Sequence, residues 1–169
     1  DEPMADSSMI PTYLVSQLVR QHCTVALGGD GGDELFGGYT HYSNLLWIQE
    51  RLGNLPNYLA SALAKIIGQF VPTGFKGRNY LHSLGGNLKK DLPLIIYLFD
   101  LNLRKKLLLH NDKWMQCAEQ LWKEKTPVQA NLLQRATRMD FENYLTEDIL
   151  VKADRASMMN SLEMRAPFL

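Results

Sequence analysis

The stretch GGDGGDELFGGY, residues 28–39, follows directly on the short apolar run Val25-Ala26-Leu27. The apolar run has no polar alternation, so it predicts a buried strand over residues 24–27. Asp33 and Glu34 suit the first turn of a following helix, because carboxylates are stabilised at the positive end of the helix dipole. The stretch therefore predicts a strand, a glycine loop and a helix in succession, which is one part of an α/β layered fold.

The glycine loop has two interpretations. Glycines between a strand and a helix allow backbone N–H groups to converge on phosphate oxygens. The spacing matches neither the G-x-G-x-x-G pattern nor G-x-x-x-x-G-K-[ST], and the loop carries acids in place of lysine. Such acids are explained if Mg²⁺ lies between them and a phosphate. A tight structural turn capped by Asp33 explains the same residues, so both interpretations stay open at this point.

Helical patterns lie on both sides of the loop. Ile10, Leu14 and Leu18, at a spacing of four, predict a helix from about residue 8 to residue 22. After the loop, a second helix is predicted, although the pair Gly37-Gly38 weakens it. Four apolar residues would line one face of this helix: Leu35, Tyr39, Tyr42 and Leu46. A single strand cannot make a sheet, so we expect its partner strands to lie outside this chain.

The middle of the chain shows no catalytic constellation. Residues 54–124 have a helical pattern with breakers at 71–74 and 84–87. A capping box at residues 126–129 starts a further helix, which would continue through Leu132, Ala136 and Met139. Thr146 resembles a second helix start, and Pro167 should end the helical run that begins there.

A charged stripe follows from the last predicted helix. If the segment that starts at Thr146 is helical, Asp148, Lys152 and Arg155 share one face, while Ile149, Ala153 and Ala156 lie on another. An Asp–Lys pair four residues apart is common on solvated helix faces. Spacing alone therefore leaves an ordinary surface ion pair and a functional stripe as alternatives.

Composition excludes some classes of partner. Lys and Arg total 18, as do Asp and Glu, so the net charge gives no case for a nucleic acid or an anionic membrane as partner. No apolar run approaches the roughly 18 residues of a membrane helix, and we expect no signal peptide. Cys23 and Cys117 have no metal-site spacing, which predicts free thiols and a cytoplasmic protein. Neither end resembles a finished terminus, so we expect a piece of a longer protein.

Three segments together resemble one family. They are DEPMADSSMIPTY at residues 1–13, GDGGDELFGGY at 29–39, and DRASM at 154–158 leading into SLEMRAPFL at 161–169. Their order and local spacing resemble the synthetase domain of glutamine-hydrolysing asparagine synthases, densely at both ends and thinly between them. The resemblance implies a parent α/β fold of the PP-loop ATP pyrophosphatase type, similar to adenine nucleotide alpha hydrolases. Residues 1–169 would be a partial synthetase domain, mostly α-helical with about one buried strand.

The resemblance also implies a chemistry. The family activates the side-chain carboxylate of aspartate with ATP and Mg²⁺, which forms β-aspartyl-AMP and pyrophosphate. Ammonia from the glutaminase domain of the same parent chain then gives asparagine and AMP. On this basis Asp30 would lie near the acyl-adenylate, Asp148 would lie within a residue of a family acid that orients the amine, and Asp33 would bind Mg²⁺. The implied ATP and pyrophosphate ligands are Gly28, Gly29, Gly31, Gly32, Lys152 and Arg155.

Departures from the family pattern keep alternatives open. Gly28 stands where the family usually has serine. The Ser-Gly-Gly-x-Asp-Ser loop would lie upstream of Asp1 and a catalytic lysine downstream of Leu169, so we expect the isolated chain not to catalyse synthesis. Alternative functions are a ligase resembling β-lactam synthetases or lasso-peptide cyclases, and a non-catalytic helical interaction module. The use of glutamine or free ammonia stays open, as does the oligomeric state, with a homodimer as one candidate.

Overall fold

The structure is a computed structural model that describes residues 4–72, 75, 77, 78, 80, 107, 124 and 131–169. The chain forms two compact units: residues 1–38 with 140–169 make the first, and residues 39–139 make the second. The predicted breaker at 84–87 and the capping box at 126–129 lie outside the described residues. The described elements are α1 (Met9–Arg20), β1 (Val25–Leu27), α2 (Gly32–Phe36), α3 (Thr40–Leu52), α4 (Asn57–Phe70), α5 (Leu132–Met139), π1 (Asp140–Ile149), α6 (Leu150–Met158) and β2 (Glu163–Arg165).

Strand β1 has its partner within the chain, which corrects the expectation that its partners lie elsewhere. It pairs in parallel with β2, and Ala26 stands opposite Met164. The helical run that was expected to reach Pro167 stops at Met158 instead. Ser161 takes a left-handed conformation with φ 57°, which ends the helical geometry and turns the chain into β2.

The prediction of a buried strand is wrong for β1 among the described residues. Val25 is 39% exposed and Leu27 is 74% exposed. Strands of a parallel sheet are buried when neighbouring strands and helices cover both faces. The sheet of the described residues has two strands, so the side chains of β1 stay largely uncovered.

The helix predicted to run through residues 35–46 is two helices. Gly37 adopts a left-handed conformation with φ 70° and ends α2, and α3 begins at Thr40. Leu35 therefore belongs to the first unit and is exposed, whereas Tyr42 is buried in the second unit. The glycine pair separates the two helices because a residue without a side chain adopts this backbone conformation at little cost.

The second unit has its core between α3 and α5. Tyr42, Leu45 and Ile48 of α3 pack with Leu132 and Ala136 of α5. The predicted continuation of a helix through Leu132, Ala136 and Met139 is confirmed, and all three residues are buried. Helix α4 ends at Phe70, where the breaker at 71–74 predicts a stop.

In the first unit, α6 packs closely against α1. Ser16 of α1 and Ala153 and Ala156 of α6 are buried, whereas Ile149, predicted to share a face with the two alanines, is the last residue of π1 and is half-buried. The small side chains of Ser16 and the two alanines allow the two helices to approach each other closely. Asn160 then ties the end of α6 to α1, because its Nδ2 donates to the carbonyl oxygens of Tyr13 at 3.2 Å and Ala156 at 3.0 Å.

The predicted helix start at Thr146 is wrong. Residues Asp140–Ile149 form the π-helix π1, which leads directly into α6. The Thr146 hydroxyl donates to the carbonyl oxygen of Glu142 at 2.9 Å, so it bonds backward within π1 and does not cap a new helix. Long π-helices are rare, and this one brings Tyr144 and Asp148 into the first unit.

Candidate functional site

The glycine loop links β1 to α2 within the first unit. Gly31 has φ 87° and caps the start of α2, a conformation that favours glycine over residues with side chains. A Cβ atom at Gly31 would lie 2.6 Å from Cδ2 of Leu169, whereas one at Gly29 would meet nothing within 4 Å. The loop therefore passes closely beside the Leu169 side chain at Gly31 and is open at Gly29.

Gly28 stands where the family usually has serine, and the structure shows what a side chain would meet there. A Cβ atom at Gly28 would lie 2.9 Å from Oδ2 of Asp30 and 3.1 Å from Cε of Met164. The Asp30 carboxylate thus occupies space that a serine side chain would need. A chain with serine here would have to move the end of the Asp30 side chain.

Asp33 lies in the first turn of α2 and is exposed. Its carboxylate lies against the backbone of Gly38, where a Cβ atom at Gly38 would collide with Oδ1 of Asp33. The Gly38 N–H also donates to the carbonyl oxygen of Asp33 at 3.0 Å. Gly38 therefore provides the room in which the Asp33 carboxylate sits.

A second group of polar residues joins α1 to α6, and we call it the Asp6 cluster: Asp6, Ser8, Tyr144, Asp148 and Lys152. The Lys152 Nζ donates to Oδ2 of Asp6 at 2.9 Å and to Oγ of Ser8 at 2.8 Å. Ser8 donates to the same carboxylate, from its hydroxyl at 2.6 Å and from its backbone N–H at 2.8 Å. The hydrogen bonds from Ser8 and then Lys152 lower the pKa of Asp6 to about 2.

Asp148 is in a different electrostatic environment from Asp6. Burial raises the pKa of Asp148 above its usual value, and the negative charge of Asp6 adds to this effect, while the Lys152 ammonium opposes it. Burial also raises the pKa of Tyr144, with the charge of Asp148 as the next cause. For Lys152, burial acts to lower the pKa, but the hydrogen bond and charge of Asp6 outweigh it and raise the pKa. The Asp6 cluster therefore holds one carboxylate whose pKa is lowered, one carboxylate whose pKa is raised, and one ammonium group that acts on both.

The structure places all the predicted site residues in the first unit. Asp30, Asp33 and the four glycines lie in the loop and at the start of α2, while Asp148 lies in π1 and Lys152 and Arg155 lie in α6. Helix α2 packs against π1, so the two groups lie on neighbouring elements. The surface ion pair considered for Asp148 and Lys152 is not what the structure shows. Lys152 pairs with Asp6, which is 146 residues away in sequence.

Four residues of this region were not predicted as site residues from the sequence. Asp6 and Ser8 lie in a segment that resembles the asparagine synthases, but no spacing rule connects them to Lys152. Tyr144 lies four residues before Asp148, a spacing that could have indicated it. Glu34 of α2 was considered only for the helix dipole, yet it is 2% exposed and its charge acts on Tyr144.

The donor set of the loop fits Mg²⁺. Mg²⁺ in phosphate sites takes one or two carboxylates together with phosphate oxygens and waters. Asp30 and Asp33 supply two carboxylates within four residues of chain, and Asp33 is exposed. Across the described residues, no group of three His, Cys, Asp or Glu side chains is arranged to hold a metal ion by itself.

In that same part of the chain, no helix has the length and apolar character needed to cross a membrane.

The hydrogen bonds of Asp6 predict a pH-dependent stability. Asp6→Asn should lower stability by about 1 kcal/mol at neutral pH, because it removes the charge that Ser8 and Lys152 bind. The pKa of about 2 in the folded protein lies below the ordinary aspartate value of 3.8, so this stabilisation is present above pH 3.8 and is lost as the pH falls toward 2. The thermal midpoints of the two proteins should therefore converge over that range.

A matched control exists in the exposed ion pair of Glu163 and Arg165, whose atoms are 2.8 Å apart. Glu163→Gln should change the thermal midpoint little at any pH, since exposed pairs contribute little. Equal effects of both substitutions at neutral pH would contradict the stabilising role given to Asp6.

Comparison with known proteins shows the family of the chain. A family model described as asparagine synthase matches residues 1–169, and the chain belongs to the asparagine synthase family. It is 32% identical to asparagine synthetase [glutamine-hydrolyzing] 1 of Bacillus subtilis over 172 residues, covering 100% of this chain and 27% of that protein. It is 34% identical to a putative asparagine synthetase [glutamine-hydrolyzing] of Mycobacterium bovis over 175 residues, covering 100% of this chain and 26% of that protein.

An archaeal relative is similar as well. The chain is 31% identical over 188 residues to putative asparagine synthetase [glutamine-hydrolyzing] 2 of Methanocaldococcus jannaschii, covering 99% of this chain and 32% of that protein. The chain thus spans about a quarter to a third of the length of these relatives. No solved structure matches it.

Proposed function

We propose that this chain is part of an ATP-dependent amide ligase that converts aspartate to asparagine through β-aspartyl-AMP, with ammonia derived from glutamine. Membership of the asparagine synthase family and the names of the relatives support this proposal. The observation that carries it is the position of the acidic glycine loop. The glycine loop and the Asp6 cluster belong to the same unit. Helix α2, which follows the loop, packs against π1, which carries Asp148.

The loop would bind the nucleotide. The backbone around Gly28, Gly29, Gly31 and Gly32 is suited to approach phosphate oxygens, since side chains are absent there. Asp33, with Asp30 nearby, would hold Mg²⁺. When bound, this ion would neutralise charge on the departing pyrophosphate.

Two cations of α6 would add positive charge. Arg155 would contribute to binding of pyrophosphate. Lys152 already donates to Asp6 and Ser8, which leaves one of its three N–H donors for a ligand. Its contribution to pyrophosphate binding would therefore be smaller than that of a lysine without such partners.

Asp148 would serve the second half of the reaction. The amine nitrogen attacks the acyl carbon of β-aspartyl-AMP, AMP leaves with the electron pair of the broken bond, and the nitrogen must lose a proton. A carboxylate with a raised pKa is a better proton acceptor than an ordinary one, which suits Asp148 to orient the amine and take this proton. Asp30 would lie beside the acyl-adenylate.

We also propose that residues 1–169 are a partial synthetase domain of a parent with the PP-loop ATP pyrophosphatase fold. The exposed side chains of β1 support this, because parallel strands are normally covered on both faces. The outer face of α1 is apolar as well: Ile10, Leu14 and Leu18 are exposed there. Additional strands and helices of the parent would cover these side chains, and its glutaminase domain would supply ammonia.

The direct test is pyrophosphate release by the full-length protein with Mg²⁺ and ATP. We expect release that requires aspartate, with AMP and asparagine formed when glutamine or ammonia is added. The 169-residue chain alone should show no such synthesis. Release that ignores aspartate but requires another carboxylic acid would indicate a different acceptor, as in the β-lactam synthetases. No release with any acid, from a folded protein, would contradict the ligase function.

A further inference from the structure

Two carboxylates of the Asp6 cluster lie near one ammonium group. Lys152 is four residues after Asp148, a spacing at which a helical Asp–Lys pair normally forms. The Lys152 Nζ instead lies 2.9 Å from Oδ2 of Asp6, and the side chains of this pair are only 15% and 23% exposed. Among the described residues, the Asp148 carboxylate forms neither a hydrogen bond nor an ion pair.

The contacts explain why Asp6 is the carboxylate that binds Lys152. Ser8 donates two hydrogen bonds to Asp6 and accepts one from Lys152, so the three residues form a closed ring of hydrogen bonds. The packing of α1 against α6 holds Asp6 and Ser8, just before α1, beside Lys152 of α6. Asp148 has no comparable donors in the described part of the chain. Ser8 therefore holds the Asp6 carboxylate in place and offers the ammonium a second acceptor beside it, which Asp148 lacks among the described residues.

We propose that Asp6 is a positioning residue of this site: by binding the Lys152 ammonium, it prevents a pair between Lys152 and Asp148 and leaves the Asp148 carboxylate unpaired for the incoming amine. This inference rests on the proposed function, in which Asp148 accepts the amine proton. A carboxylate tied to an ammonium group is a weaker base and a poorer acceptor for a second amine. Asp6 thus acts on the reaction through Lys152.

The charges that face Asp148 come from several elements. Asp6 in the segment before α1 raises the proton affinity of Asp148, and Lys152 of α6 lowers it. Tyr144 of π1 lies beside Asp148, and Glu34 of α2 acts in turn on Tyr144. Removing Asp6 or removing Lys152 should therefore change the titration of Asp148 in opposite directions.

The test is the titration of Asp148 in the full-length protein labelled with ¹³C at its aspartate carboxyl groups. The Asp148 signal is assigned by its loss in Asp148→Asn. In Asp6→Asn the titration should shift to lower pH, because a repelling charge is gone and Lys152 is free to pair with Asp148. In Lys152→Met it should shift to higher pH. Glu163→Gln is the matched control, since it removes one carboxylate of the same unit whose charge does not act on Asp148, and it should leave the titration of Asp148 in place.

A second readout connects the titration with the reaction. The acid limb of the pH profile of ammonia-dependent asparagine formation should move to lower pH in Asp6→Asn. An unchanged Asp148 titration in Asp6→Asn, beside an active wild-type protein, would overturn the positioning role. If Asp6→Asn does not fold, a Lys152→Met titration that fails to rise would overturn it equally. If the Asp148 titration shifts in opposite directions in Asp6→Asn and Lys152→Met but the wild-type protein forms no asparagine, the charge coupling is supported and the proposed function is contradicted.

Discussion

Asp33→Asn is expected to reduce aspartate-dependent pyrophosphate release by the full-length protein by about 100-fold or more. The substitution keeps the size and shape of the side chain but removes the negative charge that would hold Mg²⁺. Asp33 is exposed in the first turn of α2, so the protein should still fold. The measurement is the rate of pyrophosphate release at saturating ATP and aspartate, over a range of Mg²⁺ concentrations.

Glu50→Gln is a suitable control for this experiment. Glu50 is an exposed carboxylate of α3 in the second unit, and no role in the site is proposed for it. It should leave the rate unchanged, which shows that loss of a surface charge alone has no effect. A rate in Asp33→Asn within a few-fold of the wild-type rate would contradict the metal-binding role of Asp33, and it would leave the loop as a structural turn.

Gly31→Ala is expected to destabilise the protein by about 1–3 kcal/mol. The backbone at Gly31 has φ 87°, and a left-handed conformation costs a residue with a side chain roughly 1–2 kcal/mol. The new methyl group would also lie 2.6 Å from Cδ2 of Leu169, so that side chain would have to move. The measurement is the thermal midpoint of unfolding, together with the yield of folded protein.

Gly29→Ala tests whether destabilisation comes from the specific conformation and contact at Gly31 or from a general need for glycine in the loop. Gly29 lies two residues earlier in the same loop, its φ lies outside the left-handed region, and a Cβ atom there would meet nothing within 4 Å. Its thermal midpoint should stay close to the wild-type value. Equal destabilisation by both substitutions would show that the loop needs glycine for a general reason. The specific conformation at Gly31 and its contact with Leu169 would then not explain the effect.

Local patterns in the sequence predicted those features that depend on neighbouring residues. The order of helix, strand, glycine loop and helix at the start of the chain is confirmed by α1, β1 and α2. Ala153 and Ala156 lie in α6 away from the charged stripe, as predicted, and both are buried. Helical periodicity and glycine loops are local properties, since they follow from backbone geometry over a few residues.

Features that join distant segments were not predicted. β2 was missed because three residues before a proline carry little periodic signal, and only pairing with β1 makes them a strand. The break between α2 and α3 depends on the conformation that Gly37 adopts, and the sequence presented it only as a weakening. The strand depends on pairing with a distant segment, and the helix break depends on the backbone conformation of one glycine.

The charges of the site show the same division most clearly. The sequence by itself determined that Asp148 and Lys152 lie four residues apart and that an acidic glycine loop follows a strand. Only the tertiary structure decided that Lys152 binds Asp6, 146 residues away, and that Asp148 stays unpaired among the described residues. The physical reason is competition between two acceptors. An ammonium group binds the carboxylate that packing and additional hydrogen bonds hold in place, and the packing of α1 on α6 is not encoded in any local spacing.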